Sequence, residues 1–355
     1  MITALPGAAG RAEVAQAFCA DFLASERPRY VLGRNVYAES LARILALDGI
    51  IDDYTAEVTH AGLPVVRSAA VPANALVINA AGGRPFSAAQ RLDALGLRHL
   101  DYFAFLKWSG LPLTPVVFND GFANDYAAHA MEYAWLESRL ADGASREILR
   151  KLVNFRLDYD LEHLRGFTQR EAEQYFEPFL KLGAVGETFV DVGAYDGATS
   201  LEFIRRCPGY RAIHLFEPEA TNFLRCKAAL QAHPNVFCHP FGLSDRPQQV
   251  ALAACGSASH ILEDGIGDVA LVRLDDLDIP APSLIKIDTE GFEAPALAGA
   301  AGVIASCRPR IAVAVYHRAG DFWRIARQVL SVRSDYALYL RHYTESIYET
   351  VMFFI

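Results

Sequence analysis

The chain has no Cys-x-x-Cys pair, no long apolar run and no excess of basic residues, and each absence removes a class of function. Its six cysteines, Cys19, Cys207, Cys226, Cys238, Cys255 and Cys307, are widely spaced. In a chain of this size they read as reduced small hydrophobes, with no structural zinc and no disulfide framework. The longest apolar stretch near the C-terminus, residues 311–316, falls far short of the roughly 18 residues of a membrane-spanning helix. The first residues, MITALPGAAGRAEVAQAF, lack a basic n-region, and Arg11 and Glu13 interrupt their apolar positions. No secretory leader is expected, and the protein is read as cytoplasmic. Lys plus Arg number 33 against 42 Asp plus Glu, a formal charge of −9, and the cations are scattered. A nucleic-acid or acidic-membrane surface is disfavoured. There is no internal repeat, no GxGxxG and no GxxxxGK[ST], so a dinucleotide or a triphosphate is less favoured than a smaller adenosine ligand.

What is present is a globular composition, 52% hydrophobic and 21% charged over 355 residues. That is enough for a real core and points to two domains or one with a large extension. Residues 1–28 read as an alanine-rich helical arm. Over 29–118 strands (29–33, 49–51, 75–79, 99–105) alternate with helices (36–47, 87–96), which implies a small parallel α/β domain. Between 119 and 183 the β signal disappears, and Leu136, Leu140, Ile148, Leu152 and Phe155 recur at helical spacing; this is a helical connector. From 184 to 355 the alternation resumes, with strands at 188–192, 211–216, 235–238, 284–288 and 310–316. Two last strands, 336–340 and 347–355, suggest a terminal antiparallel hairpin.

The chemistry concentrates at strand ends. In FVDVGAYDGATSLEF (189–203) a buried strand ends at Asp191. Gly193 and Gly197 then allow the backbone close to a ligand, and Thr199 and Ser200 open a helix. Glu217, twenty positions after Gly197 in HLFEPE, can accept both ribose hydroxyls of an adenosine ligand. FGLSD (241–245) supplies Ser244 or Asp245 to a base edge. LIKIDTEGFE (284–293) places Asp288 and Glu290 at the same rim, and AVAVYH brings His317 there.

These runs, together with LDDL, RPRIAVAVYH and YLRHYTESIYETVMF, resemble in order and spacing the FkbM family of S-adenosylmethionine-dependent methyltransferases, over about residues 184–355. The resemblance implies a class I methyltransferase domain, a Rossmann-like seven-stranded sheet with an antiparallel last strand. It also implies O-methylation of a hydroxyl, most naturally on a sugar or glycan precursor. A polyketide-like natural product is the alternative acceptor, and a catalytically inactive sugar- or partner-binding fold the alternative function. Asp191, Gly193, Tyr195, Asp196 and Gly197 would line the methionine part of the cofactor, Glu217 would hold the ribose, and Gly242 to Asp245 would approach the adenine. Thr289 departs from the aliphatic residue many members carry in their DxEGxE motif. On this reading His317 is the general base, with Asp288 or Glu290 orienting the acceptor, and Tyr175, Arg341 and His342 contact the acceptor. A magnesium ion on Asp288, Glu290 and Glu293 is chemically open but not favoured, because residues so close in sequence converge poorly. The N-terminal domain reads as Rossmann-like, with Asn35 and Ala38 where glycines would admit a pyrophosphate. A scaffolding, dimerising or substrate-presenting role is preferred for it over nucleotide binding, and a homo-oligomer is compatible with that role.

Overall fold

The computed structural model describes residues 7–253, 260–262, 267 and 269–355; Cys255 lies outside them. The chain divides into two compact units. The first comprises Met1–Ala123, Leu149–Glu171 and Tyr343–Tyr348, and the second Asn124–Ile148, Ala172–His342 and Glu349–Ile355.

The first unit is built on β1 (Arg29–Leu32), β2 (Gly49–Ile51), β3 (Thr59–His60), β4 (Leu63–Val66), β5 (Leu76–Asn79) and β6 (Arg98–Asp101), in the order β3-β4-β2-β1-β5-β6. All neighbours are parallel except β3 and β4. Val31, Ile50, Ile51, Leu76, Val77 and Ile78 are fully buried, as a parallel sheet covered on both faces requires. The helix Ala8–Ala24 buries Phe18, Cys19 and Phe22, and Phe22 meets Phe105 edge-on at 5.3 Å. The strand expected at 99–105 ends at Asp101. There the carboxylate accepts the Ala104 N–H at 2.9 Å and caps a helix, Tyr102–Trp108. The aromatic run that resembles a strand is helical because an N-capping aspartate precedes it.

Two helices, Phe122–Arg139 and Gly143–Asp158, fill most of the stretch read as a connector. The boundary between units passes through the second of them.

The second unit carries β7 (Thr188–Val192), β8 (Ala212–Phe216), β9 (Val236–His239), β10 (Gly242–Leu243), β11 (Gln248–Ala253), β12 (His260–Leu262), β13 (Val269–Val272), β14 (Leu284–Ile287), β15 (Arg310–Ala314), β16 (Leu338–His342) and β17 (Thr350–Phe354). Seven form one sheet in the order β16-β17-β15-β14-β7-β8-β9, and β10 to β13 form a small second sheet. In the large sheet β17 is antiparallel to both β15 and β16, between which it lies; the remaining pairs are parallel. The fold is therefore the α/β class expected, with the antiparallel last strand and a smaller α/β sheet before it. Among the described residues no helix is long and apolar enough to cross a membrane.

Candidate active site

The carboxyl ends of β7, β8 and β14 meet at a cavity of about 240 Å³. Its walls include Gly193, Tyr195, Glu217, Asp288, Glu290, Tyr316 and Glu349. Its floor is an ion pair. Asp191, fully buried, accepts the Ser200 hydroxyl at 2.8 Å and faces Lys286 Nζ at 3.2 Å. Lys286 donates to the carbonyls of Val192 (3.2 Å) and Gly193 (2.5 Å), so one ammonium ties β14 to the loop after β7. Burial opposes that charge, but Asp191 and Asp288 outweigh it and raise the pKa. Asp191 and Ser200, both expected to contact the cofactor, are not on the cavity wall; they are bonded to each other next to the loop that is.

Gly193 has φ 78°, and a Cβ there would lie 1.7 Å from the Asp288 carbonyl oxygen. The neighbouring strand end forces the glycine. A Cβ at Gly197 would lie 3.3 Å from Cys226 Cα, so this glycine lets two helices approach. Asp196 accepts the Ala198 N–H at 3.0 Å. Neither Asp196 nor Gly197 is on the cavity wall.

Glu217 is on the wall. Its carboxylate accepts the N–H groups of Tyr195 (2.8 Å) and Glu219 (2.9 Å), burial raises its pKa, and the remaining lone pairs are available to hydroxyl donors. Gly242 and Leu243 also line the cavity. Ser244 and Asp245 do not, which corrects their expected place at a base edge. The buried Ser244 hydroxyl donates to Asp245 at 3.1 Å and accepts from Gln248 at 3.0 Å, and Asp245 is exposed.

His317 is reached from a different side than expected. Its side chain is 1% exposed, Nδ1 lies 2.9 Å from Glu293, and Nε2 faces Glu290 at 3.5 Å and Asp288 at 3.6 Å. It sits behind the wall, not on it. Burial opposes its charge, but Glu293 above all, then Asp288 and Glu290, raise its pKa to about 10. The expected general base is thus held among three carboxylates and does not line the cavity. Glu290, at φ 54°, is on the wall. Burial pushes its pKa up to about 8, Asp288 and Glu293 adding to the effect and His317 opposing it.

Asp288, Glu293 and His317 each bring a ligand atom within 4.8 Å of the others. Glu290, the third carboxylate considered for a magnesium ion, is not part of this group; His317 supplies the third ligand atom. The donors are of a kind that divalent cations accept. Glu293 is held by the N–H groups of Thr289 (2.8 Å) and Gly291 (3.2 Å) as well as by His317, and the imidazolium is the cation of the cluster.

Tyr175 does not line the cavity; its hydroxyl donates to Asp288, and the Lys286 ammonium lies 5.3 Å over its ring. Arg341 and His342 are likewise corrected as acceptor contacts. Arg341 donates to Asp142 at 2.7 Å and Ser145 at 2.9 Å and stacks on Phe179, and His342 pairs with Thr350 at 2.9 Å. Arg341 ties the sheet to the start of the helix Gly143–Asp158, and His342 joins β16 to β17. Sequence reasoning missed Glu349 and Tyr316. Glu349, at φ 62°, accepts from Tyr316 at 3.1 Å and Gln174 at 2.5 Å, and burial, then Asp288, pushes its pKa up to about 6. The visible signal is a lone acid at the mouth of the apolar run TVMFF.

Residues 191–346, which hold all of the cavity's lining residues except Glu349, match the family model of the methyltransferase FkbM domain. This stretch, less than half of the chain, is similar to an FkbM methyltransferase domain. The crystal structure of a methyltransferase FkbM from Methylobacillus flagellatus KT matches with a TM-score of 0.75 at 22% identity, over 96% of this chain and 92% of that one. The likeness is one of fold. A precorrin-6y C5,15-methyltransferase from Geobacter metallireducens GS-15 matches at a TM-score of 0.31 and 16% identity, over 49% of this chain and 81% of that one. No curated protein sequence matches the chain significantly. The stretch similar to the FkbM domain thus places the β7 loop, Glu217 and the Asp288–Glu290 turn around one cavity.

Proposed function

We propose that the chain is an S-adenosylmethionine-dependent O-methyltransferase acting on a hydroxyl of a sugar or glycan precursor in a reducing, cytoplasmic setting. The observation that carries the reading is the half-buried cavity itself, which pairs a glycine-forced loop at Gly193 with a carboxylate, Glu217, whose spare lone pairs suit two ribose hydroxyls. The cysteines of the described residues, all free, suit a reducing compartment. When bound, S-adenosylmethionine supplies an electrophilic methyl group and leaves as S-adenosylhomocysteine.

The chain's own part is to hold an acceptor oxygen in line and to take its proton. Glu290 is the base. Its carboxyl is on the wall, its pKa is raised to about 8 so that it ionises through that pH, and His317 lies behind it. Asp288, oriented by the Tyr175 hydroxyl, and Glu349, oriented by Tyr316, accept hydrogen bonds from the other hydroxyls of a polyol.

Calorimetric titration with S-adenosylhomocysteine tests the cofactor. Glu217→Ala leaves ribose hydroxyls unpaired and is expected to weaken binding by on the order of 1–3 kcal/mol, roughly 5- to 150-fold. Equal affinities in the two proteins would remove Glu217 from the site, and absence of wild-type binding would favour an inactive fold. The base is tested by pH. Glu290 must be ionised to act, so kcat/KM is expected to rise with pH toward about 8 and then level. In Glu290→Gln that limb disappears and kcat falls by roughly 100-fold or more. A limb that survives the substitution assigns the proton to another group.

A further inference from the structure

The first unit has a cavity of its own, about 310 Å³, at the carboxyl ends of β1 and β2. Its walls include Gly33, Asp52, Asp53, Tyr54, Arg84 and Arg91. From β1 the chain builds outward through β2 to β4, then returns to the other side of β1 to form β5. The cavity therefore lies where the strand order reverses, the crevice in which open parallel sheets bind their ligands.

The helix ends that a pyrophosphate would use are closed by the chain itself. Asn35 accepts the N–H groups of Tyr37 and Ala38, each at 3.1 Å, at the start of the helix Val36–Ile44, and its amide donates to the Ala80 carbonyl at 2.7 Å. At the helix Pro85–Ala94, Glu345 accepts the Ser87 N–H at 2.8 Å and the Ser87 hydroxyl. Bare amides, the usual cradle for phosphate, are taken at both ends.

Side chains supply what the helix ends do not. Asp52 is balanced by Arg34 at 2.7 Å and Asp53 by Arg91 at 2.5 Å. Arg84, exposed on the same wall, has no partner among the described residues and is the uncompensated charge. The paired carboxylates keep lone pairs for hydroxyl donors. Tyr54 is 89% exposed yet held in place, its hydroxyl accepting from Arg91 at 2.9 Å and its ring 5.6 Å from that guanidinium. A fixed aromatic face beside a free cation suits a base next to a phosphate.

We propose that the first unit binds a nucleotide in this cavity, with the phosphate on Arg84, the ribose hydroxyls on Asp52 and Asp53, and the base against Tyr54. A free nucleoside phosphate and a nucleoside diphosphate sugar share this chemistry. The site is independent of the methyl-transfer reading, since every lining residue belongs to the first unit.

The test is calorimetric titration of the full-length protein with AMP, GMP, UMP and CMP, followed by the diphosphate and a diphosphate sugar of whichever base binds. Each titration is repeated with saturating S-adenosylhomocysteine and with inorganic phosphate as the competitor. One nucleotide is expected to bind, at least tenfold more weakly in Arg84→Glu and in Tyr54→Ala, with unchanged melting temperatures because both side chains are exposed. Tighter binding of the diphosphate sugar would name that source, and equal binding the free nucleotide. The proposal is overturned if no nucleotide binds, if both variants bind like wild type, if S-adenosylhomocysteine competes, or if inorganic phosphate binds as tightly as the nucleotide. Failure to bind S-adenosylhomocysteine in the same samples would count against the methyl-transfer reading alone.

Discussion

Gly193→Ala is expected to abolish measurable S-adenosylhomocysteine binding, a loss of at least 100-fold, and to lower the melting temperature of the protein. Two costs combine. A residue with a Cβ in the left-handed region pays roughly 1–2 kcal/mol. The larger cost is steric, because the Cβ would lie 1.7 Å from the Asp288 carbonyl oxygen and 2.9 Å from its carbon. These are backbone atoms at the end of β14, held in register with β7 through Ile287 and Val192. No side chain can swing aside, so the β7 loop and the Asp288–Glu290 turn must part, and they are the two walls between which the cofactor is proposed to lie. Gly96→Ala is the control for backbone strain alone, since its φ is 67° and a Cβ there meets nothing within 4 Å. Calorimetry on both variants separates the effects. Binding by Gly193→Ala within tenfold of wild type would show that these walls do not form the cofactor site.

Lys286→Met should cost about 3–5 kcal/mol of stability, the usual penalty for leaving a buried charge without its partner. For a unit of this size that is a fall in melting temperature on the order of 10 °C. Asp191 is fully buried, and among the described residues its carboxylate is compensated by Lys286 and by the Ser200 hydroxyl. The carbonyls of Val192 and Gly193 lose their donor at the same time. Replacing both partners removes the charge, so Asp191→Asn with Lys286→Met should recover more than half of the loss. A single variant that melts within about 2 °C of wild type would mean that solvent reaches Asp191 and that the ion pair is not what fixes the loop.

The strands of the large sheet were legible as short apolar runs, and the segment 188–192 matches β7 residue for residue; the short strands β10 to β13 were not foreseen. The same logic misread 99–105, where a capping bond from Asp101, local but conditional on the chain's course, turned an aromatic run into a helix. The site was legible down to its loops and not to its side-chain directions. Glu290 and Glu349 reach the wall because their backbones adopt positive φ, which no spacing rule reveals, and His317 is turned inward by Glu293. Arg341 was misassigned because its partner, Asp142, lies 199 residues away. The meaning of Lys286 depends on the carboxylate that β7 places beside it.

The division of the chain into units has a consequence for synthesis. The polypeptide alternates between them in six segments, so neither is complete when the ribosome has passed most of it. Glu345, which occupies the helix end at Ser87, is separated from it by 258 residues. Until the last few residues emerge, the first unit has an uncapped helix and the second lacks the strand that enters between β15 and β16. Residues 343–355 thus complete both units: without Glu345 the helix at Ser87 is uncapped, and without β17 the large sheet loses the strand that joins β15 to β16.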